Sequence, residues 1–153
     1  MLALGILLHQ KGRTFYRNLG EALQRAADNQ LDSKVLLRLE YLEDLSPDNL
    51  AARLIRLSEE CESLALVAAE HPIVSDAIDS VLDRGIPVAG MIAPLSARGN
   101  VGFVGLDNRK VGRTAAWAFD KIIREPGKVG ILVGNHRYRN QEMNESGFRS
   151  YLR

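Results

Sequence analysis

The sequence predicts an α/β fold built as a doubly wound parallel sheet, with helices covering both faces. Short apolar runs alternate along the chain with segments whose apolar residues recur at three- and four-residue spacing. The runs are too uniformly hydrophobic to leave one face in water, which is typical of strands in a parallel sheet. At 153 residues, of which 46% are hydrophobic, the chain can bury one sizeable core.

Six strands are predicted, each an apolar run closed by polar residues, glycine or proline. They cover residues 2–8, 35–39, 64–69, 86–92, 101–106 and 129–133. A helix is predicted after every strand except the fourth. These helices cover residues 15–27, 47–61, 74–82, 111–122 and about 141–153.

Local signals mark several helix ends. Ser46 followed by Pro47 is typical of a helix N-terminus, and Gly85 follows the third helix as a C-terminal cap residue. Cys61 falls on the apolar stripe of the second predicted helix and is expected to point inward. The carboxyl ends of the strands are where such folds bind ligands, so the loops at those ends are the segments to inspect.

Composition excludes several classes of protein. The formal net charge of +1 argues against a free-standing nucleic-acid binder, and the single cysteine rules out a disulfide-stapled scaffold. The apolar start of the chain has neither the basic flank nor the cleavage site of a signal peptide, and it is too short to span a membrane. We therefore expect a cytoplasmic protein with no membrane contact.

The sequence lacks the motifs of common enzymes. Neither G-x-G-x-x-G after the first strand nor G-x-x-x-x-G-K-[ST] anywhere is present, and no G-x-S-x-G nucleophile elbow occurs. His9, His71 and His136 each follow a predicted strand, which would suit a metal site. Because they have no acidic partner at helical spacing, we interpret them as ordinary polar loop residues. No cofactor or metal is expected.

The candidate ligand-binding residues lie on the loops at the carboxyl ends of the strands. Adjacent helical residues lie about 100° apart, so one of Phe15 and Tyr16 can pack inward while the other offers a flat ring to a ligand. Arginines on these loops can donate to hydroxyl or carboxylate oxygens. Asp107 is a further candidate, although its position before a helix favours capping. The full set is Arg13, Phe15, Tyr16, His71, Asp107, Tyr138, Arg139 and Asn140.

Five short segments follow one another along the chain: LGILL at residues 4–8 ahead of the Phe15–Tyr16 pair, GIPV at 85–88, VGLDN at 104–108, KVGILVG at 128–134 and ESGFR at 145–149. Their order resembles the type I periplasmic-binding-protein fold, as used in the effector domains of lactose-repressor-like and galactose-repressor-like transcription regulators.

The resemblance implies two α/β subdomains that close on a small molecule, often a sugar or purine. Residues 1–106 would form the N-terminal subdomain, and residues 107–153 the first crossing and the start of the C-terminal subdomain. Phe15, Tyr16 and residues 138–140 match cleft-lining positions. Gln10, Arg13 and Thr14 stand where many relatives have Asp and Asn-Pro, and this argues against an ordinary pentose or hexose.

The resemblance also implies a helix-turn-helix domain ahead of this region and a longer second subdomain, so a fragment of a longer regulator is expected. We therefore predict a non-enzymatic effector-binding domain. A sugar-like metabolite would change operator DNA binding by the missing domain, and the protein would form a homodimer. The alternatives are a solute-binding protein of a sugar transporter and, less favoured, a Rossmann-like enzyme.

Overall fold

The structure, a computed structural model, describes residues 2–30 and 34–152. Its sheet has five strands in the order β2-β1-β3-β4-β5, and every neighbouring pair is parallel. The strands are β1 (Leu2–His9), β2 (Val35–Leu42), β3 (Ser63–Leu66), β4 (Val88–Met91) and β5 (Gly102–Val104). The predicted α/β fold with a parallel sheet is confirmed.

Five helices accompany the sheet. They are α1 (Thr14–Asp28), α2 (Pro47–Leu57), α3 (Pro72–Leu82), α4 (Asn108–Ile122) and α5 (Arg139–Tyr151). Gly85 has a positive φ of 76°, which suits its predicted place after a helix because glycine adopts this conformation at no steric cost. Arg153, the last residue of the final predicted helix, lies outside the described residues.

Alternate residues of β1 to β4 contribute to two separate cores on the two faces of the sheet. On one face Leu7 and Leu66 pack with the apolar stripes of α2 and α3. On the other face Ile6 and Val67 pack with the inner side of α1. Cys61 is buried, as expected, although α2 ends before it. Burying both faces is what makes the strands uniformly apolar.

The last two helices pack tightly against each other through two glycines. A Cβ atom at Gly112 would overlap the carbonyl oxygen of Asn144, and one at Gly147 would lie 3.1 Å from the Cα of Arg109 and overlap its carbonyl oxygen. Phe119 and Phe148 meet edge to face with ring centroids 5.7 Å apart. The α4–α5 pair is therefore held at backbone contact distance.

The prediction of a sixth strand at residues 129–133 is wrong. These residues are not assigned to a strand, and Leu132 is fully exposed. A strand needs a neighbour that shares its backbone hydrogen bonds, and in the described part of the chain no strand pairs with this segment. The segment instead lies beside α4 and α5, where its apolar side chains help to line a cavity.

None of the helices formed by the described residues is both long and apolar enough to cross a membrane.

Candidate ligand-binding site

The candidate site lies where the strand order reverses. β1 has β2 on one side and β3 on the other, so the chain leaves the ends of these strands toward opposite faces of the sheet. The resulting crevice at the carboxyl ends of β1 and β3 is bordered by His9 and Val67. This is the position at which open α/β sheets bind ligands.

His9 closes the bottom of this crevice. It is only 4% exposed, and its Nε2 lies 2.9 Å from the carbonyl oxygen of Val67. Because a carbonyl can only accept, Nε2 carries the proton, and Nδ1 of the neutral ring is left as an acceptor. Burial lowers the pKa of His9 and Arg13 lowers it further, against the opposing effect of the Val67 hydrogen bond. His9 is therefore a neutral donor and acceptor at neutral pH.

Two tyrosines flank His9 from different parts of the chain. The ring centroid of Tyr16, in the first turn of α1, lies 4.9 Å from that of His9, and the ring of Tyr138 lies 5.6 Å away, nearly perpendicular to it. Burial raises the pKa of both tyrosines, and Arg13 partly opposes the shift. Both hydroxyls therefore stay protonated and can donate and accept hydrogen bonds.

A short network holds Tyr138 in place at the N-terminus of α5. The side-chain oxygen of Gln141 accepts hydrogen bonds from the backbone nitrogens of Gly134 and Asn135, at 2.9 and 3.0 Å. The backbone nitrogen of Glu70, just past β3, donates to the carbonyl oxygen of Arg137 at 2.7 Å. These hydrogen bonds hold the turn before α5 against the carboxyl end of β3.

Together these elements enclose a cavity of about 140 Å³. Its lining mixes aromatic, polar and aliphatic side chains, an arrangement typical of small-molecule sites. The lining residues are His9, Arg13, Tyr16, Leu45, Val67, Ile92, Ala93, Tyr138, Asn140 and Gln141.

Two lining residues show features that a ligand would explain. The side-chain oxygen of Asn140 is buried and accepts no hydrogen bond from the described residues. Ile92 has a φ of 67°, a conformation that is costly for a β-branched residue. Backbone strain of this kind concentrates at ligand-binding positions.

Of the eight residues predicted from the sequence, the structure brings four together around this cavity: Arg13, Tyr16, Tyr138 and Asn140. The other four lie elsewhere or are engaged with protein partners. Phe15 is 60% exposed and packs edge-on against Tyr16, while His71 caps α3 by accepting from the nitrogen of Ile73.

Asp107 and Arg139 also have protein partners. Asp107 caps α4 by accepting from the backbone nitrogen of Lys110 at 3.1 Å. Arg139 donates to the hydroxyl of Ser96 at 2.7 Å and lies 3.8 Å from the carboxylate of Glu70. These contacts of Arg139 hold the start of α5 against the loops that follow β3 and β4.

His9 and Gln141 line the cavity but were not predicted as ligand contacts. His9 was predictable as a ligand contact, because it is a polar residue that ends an otherwise apolar strand at the switch point of the sheet, where the strand order reverses. The role of Gln141 depends on the turn at residues 134–135, which no local pattern specifies.

A second cavity of about 400 Å³ lies between α4, α5 and residues 129–133. Val111, Phe119, Ile131 and Phe148 give it a mainly apolar lining, and Gln141 lines both cavities. Its polar lining residues are Gln141, Asn144 and Glu145, against six polar residues in the smaller cavity, which is therefore the better candidate.

The histidines do not form a metal site. His9 binds a backbone carbonyl, His71 caps a helix, and His136 lies 2.7 Å from Glu145. Within residues 2–30 and 34–152, no three His, Cys, Asp or Glu side chains come together as metal ligands would.

The sequence matches the periplasmic binding protein domain family over residues 4–153. No curated protein matches it significantly.

Many solved structures share the fold. One is an ABC transporter solute-binding protein from Burkholderia multivorans, with 18% identity and a TM-score of 0.84, covering 99% of this chain and 56% of that chain. Another, from Actinobacillus succinogenes 130z with bound D-allose, has 16% identity and a TM-score of 0.79, covering 99% and 54%. A fructose-binding periplasmic domain of a hybrid two-component system has 16% identity and a TM-score of 0.85, covering 99% and 50%. This chain spans about half the length of these proteins.

Proposed function

We propose that this chain, which belongs to the periplasmic binding protein domain family, binds a sugar-like small molecule in the cavity between His9, Tyr16 and Tyr138. The observation that carries the proposal is the convergence of three rings and two amide side chains at the switch point of the sheet. The chain acts as a binding module and catalyses no reaction.

The chemistry of the cavity suits a polyhydroxylated ring. The faces of Tyr16 and Tyr138 provide apolar surfaces on which the C–H face of a sugar can pack. The His9 acceptor and the amides of Asn140 and Gln141 can bind hydroxyl groups around the ring. The D-allose bound to one structural neighbour and the fructose-binding name of another support the same class of ligand.

We propose that residues 1–106 and 107–153 belong to two lobes that close on the ligand. The contacts between them lie at the rim of the cavity: the Glu70 amide with the Arg137 carbonyl, and Arg139 with Ser96. A ligand that touches Tyr16 and Tyr138 together binds the closed arrangement better than an open one. Its binding therefore shifts the population toward closure.

The downstream role we favour is effector sensing in a lactose-repressor-like regulator. Closure would alter operator binding by a helix-turn-helix domain outside this sequence, in a homodimer. The motif order at residues 104–108 and 128–134 supports this role. A solute-binding protein of a sugar transporter is the second candidate, favoured by the transporter names of several structural neighbours.

Calorimetric titration tests the binding proposal. The chain is titrated with neutral aldoses, polyols and sugar acids, alongside Tyr138→Ala and a matched control, Tyr151→Ala, at the other end of α5. We expect Tyr138→Ala to weaken binding by at least about tenfold, because it removes one wall of the cavity, and Tyr151→Ala to leave it unchanged. Equal losses in both variants, or no binding by the folded wild type, would refute the proposal.

A DNA-binding assay separates the two downstream roles. The polypeptide that contains this chain is mixed with DNA from upstream of its own gene, with and without the ligand found by calorimetry. A ligand-dependent change in DNA affinity supports the regulator role. Absence of DNA binding at both low and moderate salt would favour the transporter role.

A further inference from the structure

We infer that the ligand of this cavity carries a carboxylate, as an aldonic or uronic acid does, and that the Arg13 guanidinium binds it. The inference rests on the proposed function and specifies the class of ligand.

The charge of the cavity lining is the first observation. Of the described residues that line the cavity, Arg13 alone carries a formal charge at neutral pH, and the lining contains no Asp or Glu. A guanidinium can donate to the hydroxyl groups of a neutral sugar, but with a carboxylate it forms two parallel hydrogen bonds between opposite charges, which are stronger.

The side chain of Arg13 is exposed to solvent and has no acidic partner among the described residues. Its Nε donates to the neutral side-chain oxygen of Gln10 at 2.8 Å, and this bond fixes the guanidinium without neutralising it. The carboxylates of Glu43 and Glu70 contact other groups: Glu43 accepts from the backbone nitrogen of Lys11, and Glu70 lies 3.8 Å from the guanidinium of Arg139. Within the part of the chain that the structure describes, Arg13 forms no ion pair.

The backbone around the cavity adds to this positive potential. Arg13 and Tyr138 occupy the N-cap positions of α1 and α5, and neither side chain caps its helix. The N-terminal ends of two helices therefore border the same cavity, and each carries partial positive charge. Burial has the largest effect on the pKa values of His9, Tyr16 and Tyr138, and the positive charge of Arg13 acts on each of them in the downward direction.

Asn140 indicates that the ligand is more than a simple anion. Its buried side-chain oxygen lacks a donor among the described residues, and a carboxylate cannot supply one. A ligand hydroxyl can. The cavity of about 140 Å³ is small, which favours a single compact molecule bearing both hydroxyl and carboxylate groups.

The test compares sugar acids with their neutral counterparts by calorimetry on the complete chain. The probes are D-gluconate, D-glucuronate and D-galacturonate against D-glucose and D-galactose, with D-glucose 6-phosphate as a more highly charged probe. Arg13→Gln removes the charge, and Arg17→Gln, exposed one turn along α1, is the matched control.

We expect at least one acid to bind about tenfold or more tightly than its neutral counterpart, because bonds to ionised groups are roughly twice as strong as neutral ones. Arg13→Gln should abolish this preference, and Arg17→Gln should keep it. Circular dichroism confirms that both variants are folded.

Four results would overturn the inference. A neutral sugar that binds as tightly as the acids would refute it while leaving the proposed function intact, and so would preferential binding of the phosphate. A carboxylate preference that survives Arg13→Gln would show that another group binds the anion. If no probe binds, the inference fails together with the proposed function.

Discussion

Replacing Gly112 with alanine tests how the α4–α5 pair is built. In a helix interior, alanine is normally more favourable than glycine by about 0.5–1 kcal/mol. At Gly112, however, a Cβ atom would overlap the carbonyl oxygen of Asn144 and lie 2.8 Å from the backbone nitrogen of Phe148. These neighbours are backbone atoms of α5 that cannot rotate away, so the two helices must move apart.

Overpacking of this kind costs about 1–3 kcal/mol, so Gly112→Ala should lower the free energy of unfolding where helix propensity alone would raise it. Urea denaturation followed by circular dichroism measures the change. The control is Gly127→Ala, whose added Cβ would meet no atom within 4 Å and should change stability by less than about 0.5 kcal/mol. A Gly112→Ala variant more stable than wild type would refute the close packing described above.

Three further predictions concern His9, Asp79 and Arg139. Burial keeps the pKa of His9 below its ordinary 6.5, so the unfolded chain binds a proton at this residue before the folded chain does as the pH falls. The free energy of unfolding should therefore decrease below about pH 6.5, and it should decrease less steeply in His9→Gln. Urea denaturation between pH 5 and 8 measures both slopes. Asp79 accepts from the backbone nitrogens of Arg98 and Gly99 at 3.2 and 3.0 Å, so Asp79→Ala should lower the unfolding temperature and speed amide hydrogen exchange at Gly99. Arg139→Gln should cost less than about 1 kcal/mol of stability in urea denaturation, because its ion pair is partly exposed.

Each of these predictions has a clear contrary result. An unchanged pH slope in His9→Gln would mean that the ring is protonated equally in both states. Slow exchange at Gly99 in Asp79→Ala would mean that the carboxylate does not hold the loop. A loss well above 1 kcal/mol in Arg139→Gln would show that the contact to Glu70 is more deeply buried than the structure indicates.

The fold was predictable because the inner strands β1, β3 and β4 are largely buried on both faces. Such strands must be apolar throughout, and this pattern can be recognised within each short segment of sequence by itself. Residues 129–133 carry the same signal, yet they form no strand. An apolar run shows that a segment tends to be buried, whereas pairing depends on a neighbouring strand that the run itself does not specify.

The candidate site was predictable in outline, because the position of polar residues at strand ends follows from the fold. Which neighbour faces the cavity was harder to predict. Of the adjacent pair, Tyr16 turns toward His9 and Phe15 toward solvent, and only the packing of α1 on the sheet decides between them. Arg139 stays a predicted ligand contact, and its contacts with Ser96 and Glu70, both distant in sequence, are not specified by any local pattern.

The most direct test of the central claim is to locate the bound ligand by amide chemical-shift mapping. The ¹⁵N-labelled chain is titrated with the sugar or sugar acid that binds most tightly in calorimetry. We predict that the largest shifts fall on the amides of residues 9–16, 67–71, 92–96 and 134–141, which surround the cavity at the switch point of the sheet. Shifts concentrated instead on residues 111–119, 129–133 and 148 would place the ligand in the apolar cavity between α4 and α5, and would contradict the account.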